Sequence, residues 1–331
     1  MPRCRSFLFL QLPLLTVAGF LLSGALAQQN TAPKQTAPSA VPAPKPASTT
    51  AVLPPKPDQD AIAVVKKAIE ALDPKKIALL ETKLWEQVDT LGLTFQTEGV
   101  YWSGPQNRMR LEMKVRVGNT ESSLVVVSDG TWVWNELKLP KDEVRVSKYD
   151  LREIQKQLNA PNTKPTFVED FYKNQSFRGL VPLLESLSPQ MTFTKHETTT
   201  WKGQPAYKLT AVWNADIAKQ ISPAGQPWPG YTVRTCYLYL AGDKSKPAYW
   251  PLRVEWWGPG QSTTDQLLMA MEFRDPVVIP AGRELPKKYS ATFSYEPGKA
   301  KVINQTDQLV EGIKQVRNSQ SQQRPATAPG K

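Results

Sequence analysis

From Asn107 to Val117 apolar and charged residues alternate without a break, with Met109, Leu111, Met113, Val115 and Val117 at odd positions and Arg108, Arg110, Glu112, Lys114 and Arg116 at even ones. A period of two predicts a strand with one face toward an interior and the other toward water. The same alternation sets Leu91, Leu93 and Phe95 against Thr94, Gln96 and Glu98, just before Gly99, which the pattern reads as a bulge. It returns far downstream, where Trp250, Leu252, Val254 and Trp256 face Arg253 and Glu255, and Leu267, Met269, Met271 and Phe273 face Glu272 and Arg274. These segments are predicted to be strands of one antiparallel sheet. Asp129-Gly130, between Leu124–Val127 and Trp132–Trp134, is a hairpin signal. Gly203-Gln204-Pro205 separates two further strands, around Thr192–Thr199 and Tyr207–Trp213.

Other stretches follow a period near 3.6. A helix is predicted from Gln59 to Leu72, with Ile62, Val65, Ile69 and Leu72 on one stripe and a stop at Asp73-Pro74. A second is predicted from Pro74 to Thr90, with proline in its first turn and Ile77, Leu80, Leu84 and Val88 on one face. Lys148–Leu158 (Leu151, Ile154, Leu158) and Phe177–Leu187 (Leu180, Leu183, Leu184, Leu187) predict helices in the middle of the chain, and Thr306–Val316 (Leu309, Ile313, Val316) predicts one near its end. The expected class is α+β, a meandering antiparallel sheet with covering helices.

The N-terminus reads as an export signal: Arg3 and Arg5 precede a mostly apolar run from Phe7 to Leu22, and Ala25-Leu26-Ala27 offers a small-x-small cleavage site after Ala27. The run is short of the ~20 residues that a bilayer-spanning helix needs. Residues 28–58 hold eight prolines and no aromatic residue, a linker composition that cannot bury enough surface to fold, and residues 319–331 read likewise as a disordered tail. One domain is therefore expected over 59–318. Cleavage removes Cys4 and leaves Cys236 alone in an oxidising compartment, so no intramolecular disulfide is possible and a small buried hydrophobe is expected there.

Charge and composition narrow the chemistry. The net charge of +11 divides as +2 in residues 1–27, +2 in 28–58, +4 in 299–331 and +3 in the 240 residues between, so the folded body has no strong basic excess and nucleic acid is not an expected partner. With one histidine, His196, expected on a strand surface, triads and histidine metal clusters are excluded. No P-loop, nucleophile elbow or HExxH motif is present. Neither enzyme activity nor a cofactor or metal is expected; a binding protein is.

The run Thr97-Glu-Gly-Val-Tyr101, then Pro105 and Arg110-Leu-Glu112, then Leu124-Val-Val-Val-Ser-Asp-Gly-Thr-Trp-Val-Trp134, resembles the bacterial periplasmic lipoprotein carrier LolA and its LolA-like relatives over roughly Asp58–Leu158. The family's Arg-Pro pair before the second strand is replaced by Ser103-Gly104-Pro105. The resemblance implies an incomplete antiparallel β-barrel, a half-barrel whose apolar face is closed by helices and shields lipoprotein acyl chains or lipid between membranes. It implies a periplasmic, monomeric carrier with membrane donor and acceptor proteins as partners. Leu93, Phe95, Met109, Leu111, Met113, Trp132, Trp134, Trp250, Leu252, Trp256, Met269 and Met271 would line the apolar cavity, and Arg110 would inherit a lid contact. Methionine suits such a lining because it adapts to variable chains, although the same residues also suit an ordinary filled core. The alternative on the same fold is an envelope stress sensor or protein-binding scaffold.

Overall fold

Leu80, Thr82, Leu84, Glu86 and Val88 are all buried on one face of a strand, Ile77–Thr90 (β1), which overturns the helix expected over Pro74–Thr90. Apolar residues four apart satisfy both periods, because positions 80, 84 and 88 share a face in a helix and in a strand. The residues between them decide the outcome: Thr82 and Glu86 are buried too, and the Thr82 hydroxyl donates to the Arg274 carbonyl of a neighbouring strand at 2.9 Å.

The structure, a computed structural model, describes residues 55–90, 93–117, 120–161, 163, 179–223, 226–260 and 264–322. The expected signal peptide, most of the 28–58 linker and the last residues of the tail lie outside these. All described residues belong to one compact unit. The helix expected from Gln59 runs over Gln59–Ala71 (α1), capped by the Asp58 carboxylate, which accepts from the amides of Asp60 and Ala61. Its buried stripe is Ala61, Val64, Val65 and Ala68, with Ile62 and Ile69 half-buried beside it.

From β1 the chain meanders through Leu93–Gly104 (β2), Arg108–Val117 (β3), Thr120–Asp129 (β4), Trp132–Leu139 (β5) and Glu143–Asp150 (β6). After helices Leu151–Leu158 (α2) and Leu180–Gln190 (α3) it re-enters the sheet at the opposite edge as Met191–Trp201 (β7). It then returns through Gln204–Trp213 (β8), a short helix Ala215–Ile221 (α4), Thr235–Ala241 (β9), Pro251–Pro259 (β10) and Asp265–Pro280 (β11). Strand β11 pairs with β1, Leu84 lying opposite Phe273 and Glu86 opposite Met271, and so joins the two meanders into one sheet. Val302–Asn304 (β12) adds a parallel edge beside β6, and Thr306–Gln322 (α5) follows.

The result is an α+β half-barrel, a 12-stranded open sheet ordered β12-β6-β5-β4-β3-β2-β1-β11-β10-β9-β8-β7 and antiparallel except at β12. Helices α1 and α3 pack on each other and on β7; α2 packs on α5 and β5. Helix α2 begins three residues later than the periodicity suggested, because Lys148–Asp150 complete β6 and Asp150 caps the helix by accepting from the Arg152 and Glu153 amides. On α5 the buried pair is Val310 and Ile313, whereas Val316 is exposed.

Two glycines explain local choices. The expected bulge at Gly99 does not form, since its pairing with Leu84 and Met113 is regular. A Cβ there would stand 2.0 Å from the Glu112 carbonyl oxygen, so glycine permits close backbone approach. Gly130, at φ +94°, closes the predicted β4–β5 hairpin, in which the Asp129 carboxylate accepts from the Thr131 and Trp132 amides at 2.7 and 2.8 Å.

Candidate functional site

Strand pairing places side chains on one or other face of the sheet, and here the two faces have opposite characters. One is apolar. Val126, Leu111, Met113, Phe95, Leu84, Val88, Phe273, Met271, Met269, Val254, Trp256, Leu238 and Leu209 occupy matched positions from β4 across to β8, and all are buried. Among the residues expected to line a cavity, Phe95, Met109, Leu111, Met113, Trp256, Met269 and Met271 share this face, with Met109 half-buried at its margin. Leu93 stands at the strand end with 54% exposure. Trp250 is buried just before β10, its indole donating to the Phe273 carbonyl at 3.1 Å, and Leu252 lies at a register irregularity between Pro251 and Arg253.

Trp132 and Trp134 lie on the other face. Ser128 pairs with Val133, so the flanking tryptophans point the opposite way and Trp134 falls opposite Val127 and Lys148. The Lys148 ammonium sits 4.4 and 4.9 Å from the two ring centres, and Trp134 packs against Tyr295. Hairpin residues on alternate positions cannot share a face with Met109, Leu111 and Met113, which is the parity that the expected lining overlooked.

Arg110 is also on this second face. It does grip backbone carbonyls, but those of a strap that follows β11: its guanidinium donates to the Thr292 and Ser294 carbonyls at 3.3 and 3.0 Å and to the Glu112 carboxylate at 2.6 Å. The strap packs Tyr289 and Phe293 onto Leu79, with Trp102, Ile279 and Leu285 around them, and the Tyr295 hydroxyl donates to Glu136 at 2.6 Å. Arg110→Ala should therefore loosen residues 285–295 and lower stability by about 1–2 kcal/mol. Limited proteolysis at Lys287 and Lys288, with a melting curve, measures both effects.

Farther along the second face, rings and paired charges are interleaved across six strands. Trp85, Glu272, Arg253, Tyr239, Lys208 and Glu197 form one row through β1, β11, β10, β9, β8 and β7. Arg253 donates to Glu255 and Glu272 at 2.6 Å each, while Lys202 and Arg274 hold the remaining Glu272 oxygen at 2.8 and 2.6 Å. Burial pushes the Glu272 carboxyl up, but the hydrogen bonds from Lys202 and Arg274 outweigh it and leave the group below its ordinary value. The Arg253 guanidinium lies over Trp85 and Trp201, and Lys208 lies over Tyr237 and Tyr239. A cleft of about 280 Å³ opens beside this network between Trp201, Lys202, Trp250 and Arg274.

The periodicity did not place any polar atom inside the apolar face. Glu86 is 3% exposed, and one of its carboxylate oxygens has no hydrogen-bond partner among the described residues. Its cross-strand neighbours are Met271 and Thr97, and burial alone pushes its carboxyl up to about 8. The Trp256 indole nitrogen and His196 Nε2 are likewise buried without partners among the described residues. His196, expected on the surface, is half-buried on the apolar side opposite Leu209 and packs on Tyr207. Cys236 is fully buried, and its thiol is pushed up by burial and by the Glu255 charge, so it is an inert core side chain. Glu86 was legible only as an acidic residue inside an apolar repeat, a signal hidden by assigning that repeat to a helix.

No family model matches the sequence, and no curated protein is significantly similar to it. Solved structures are. A DUF1329 family protein from Desulfovibrio piger matches at 9% identity and a TM-score of 0.29, over 70% of this chain and 98% of that one. The MucA/MucB complex of Pseudomonas aeruginosa supplies a second, at 13% identity and a TM-score of 0.35, over 69% of this chain and 59% of that one. A domain from Vibrio parahaemolyticus, described as an outer membrane lipoprotein-sorting protein, matches at 10% identity and 0.26, over 69% and 96%. At these scores the likeness is distant, and function has to be read from this chain's own side chains.

Proposed function

We propose that the chain is an exported, periplasmic binding protein that shields acyl chains of lipoproteins or lipids against the apolar face of its sheet during transfer between membranes. The observation that carries this is the width of that face: matched apolar positions continue across eight neighbouring strands of an open sheet, with Met269 and Met271 near its centre and Met113 toward its β4 side. Each methylene removed from water contributes about 0.8 kcal/mol, so a 16-carbon chain gains strongly from such a surface. Methionines let one lining fit chains of different shape. The residues of this face are buried in this state, and loading requires them to become accessible. The export signal in residues 1–27 fits a task between membranes.

Purified protein lacking residues 1–27 should bind a hydrophobic fluorophore saturably and release it to acylated glycerol, and lipid extraction should recover acyl chains. A protein inert to dye and lipid alike overturns the proposal. A second role, docking a protein partner, is favoured by the half-exposed Trp85, Trp201, Tyr237 and Tyr239 beside Arg253, a composition common at interface hot spots. A pull-down that retains a protein and no lipid would select it.

A further inference from the structure

Of the unpartnered polar atoms on the apolar face, His196 Nε2 lies at its β7 margin, whereas those of Glu86 and Trp256 lie near its centre. Glu86 lies in the row of Met271 and Val254, and Trp256 lies in the next row, opposite Met269. They are thus two strands apart and offset by two residues, about 12 Å between Cα atoms from strand spacing. Met269 and Met271 fill the ground between them. One Glu86 oxygen and the Trp256 indole nitrogen are both without hydrogen-bond partners among the described residues, although both side chains are more than nine-tenths buried.

A buried polar atom left unsatisfied is costly, and natural proteins keep few of them. Leucine at position 86 and phenylalanine at 256 would fill the same face without that cost. Polar groups retained at such positions are therefore functional candidates.

We propose that Glu86 and Trp256 form the polar end of an acyl-ester or acyl-amide site on this face, each donating a hydrogen bond to a carbonyl oxygen at the head of a fatty-acyl chain. The inference rests on the lipid-shielding role proposed above and adds the chemistry by which an acylated ligand is told from a bare hydrocarbon or an ether. An indole nitrogen only donates. Glu86, buried and without a cationic partner among the described residues, carries its proton at neutral pH and donates as well. Two neutral donors inside an apolar surface select a neutral acceptor. Ester and amide carbonyls at the head of an acyl chain meet that requirement, whereas a phosphate would bring a negative charge that the surroundings do not compensate.

The test compares 1-monopalmitoylglycerol with 1-O-hexadecylglycerol, which share chain length and head group and differ in the carbonyl, by displacement of a hydrophobic fluorophore from the chain lacking residues 1–27. The wild type should prefer the ester by about fivefold to tenfold, as one to two neutral hydrogen bonds provide. Glu86→Leu should bring the ratio near one while still binding the ether, Glu86→Gln should keep most of the preference through its amide donor, and Trp256→Phe should reduce it. Equal affinity of the wild type for both ligands, or an undiminished ester preference in Glu86→Leu, overturns the inference and leaves the carrier role standing. Failure of the wild type to bind either ligand overturns the carrier role, and the inference falls with it.

Discussion

Raising the pH from about 5 to about 8 will destabilise the wild-type domain, and Glu86→Gln will largely abolish that loss. Burial raises the Glu86 carboxyl from its ordinary value of 4.5 to about 8 in the folded protein. Below about 4.5 the group is protonated in both folded and unfolded chains, and it contributes no pH dependence. Between about 4.5 and 8 the unfolded chain releases the proton while the folded one keeps it, so stability falls as the pH rises, by up to about 1.4 kcal/mol per pH unit. Above about 8 both forms are ionised and the loss levels off. Carboxylates held below their ordinary value, such as Glu272 and Asp275, act in the opposite sense and on the acid side. The difference between wild type and Glu86→Gln therefore isolates the buried group. Urea denaturation at about pH 5 and 8 measures it, and a wild type as stable at the higher pH as at the lower would show that Glu86 is ionised or solvated in the fold.

The second large effect is expected at Arg253. Its guanidinium bridges Glu255 and Glu272 at 2.6 Å each, and all three residues are buried. Arg253→Met keeps most of the aliphatic stem over Trp85 and Trp201 but leaves two carboxylates short of their counter-charge. Breaking a buried pair from one side costs about 3–5 kcal/mol. Glu272 keeps Lys202 and Arg274, and Glu255 keeps the Trp257 indole donor at 3.0 Å, so the lower end of that range is expected. Replacing Arg253, Glu255 and Glu272 together by apolar residues should recover much of the loss, because no buried charge is then left uncompensated and Lys202 and Arg274, which lose Glu272, are solvent-exposed. Denaturant midpoints of the single and triple variants separate these outcomes.

Strands whose two faces differ strongly in polarity were legible from sequence. The β3 alternation and the Asp129-Gly130 hairpin stand where the pattern put them, as do the β10 and β11 segments. Strand β1 was misread because Leu80, Leu84 and Val88 fit both periods, and the intervening Thr82 and Glu86, polar by type, disguised a buried face. Parity inside the hairpin was available from the sequence too: Val133, not Trp132 or Trp134, matches the odd-numbered residues of β3 through Ser128. The position of the strap under Arg110 was not available, because it depends on residues 182 and 184 positions away. Short elements such as α4 and β12 left no periodic trace, since seven or three residues complete too few turns or pleats to register.

The junction of the two meanders sets an order of assembly. Thr82 and Arg274, bonded across the β1–β11 pair, are 192 positions apart, so that pairing waits for nearly the whole chain. Each meander can form from neighbouring hairpins, but the seam between them closes late and against a large loss of chain freedom. Until then both seam strands are open templates for pairing with other chains. Until that join is made the molecule is two half-sheets, and a chain cut just before β11 should leave β1 and β10 with unpaired edges prone to aggregation rather than a smaller working fold.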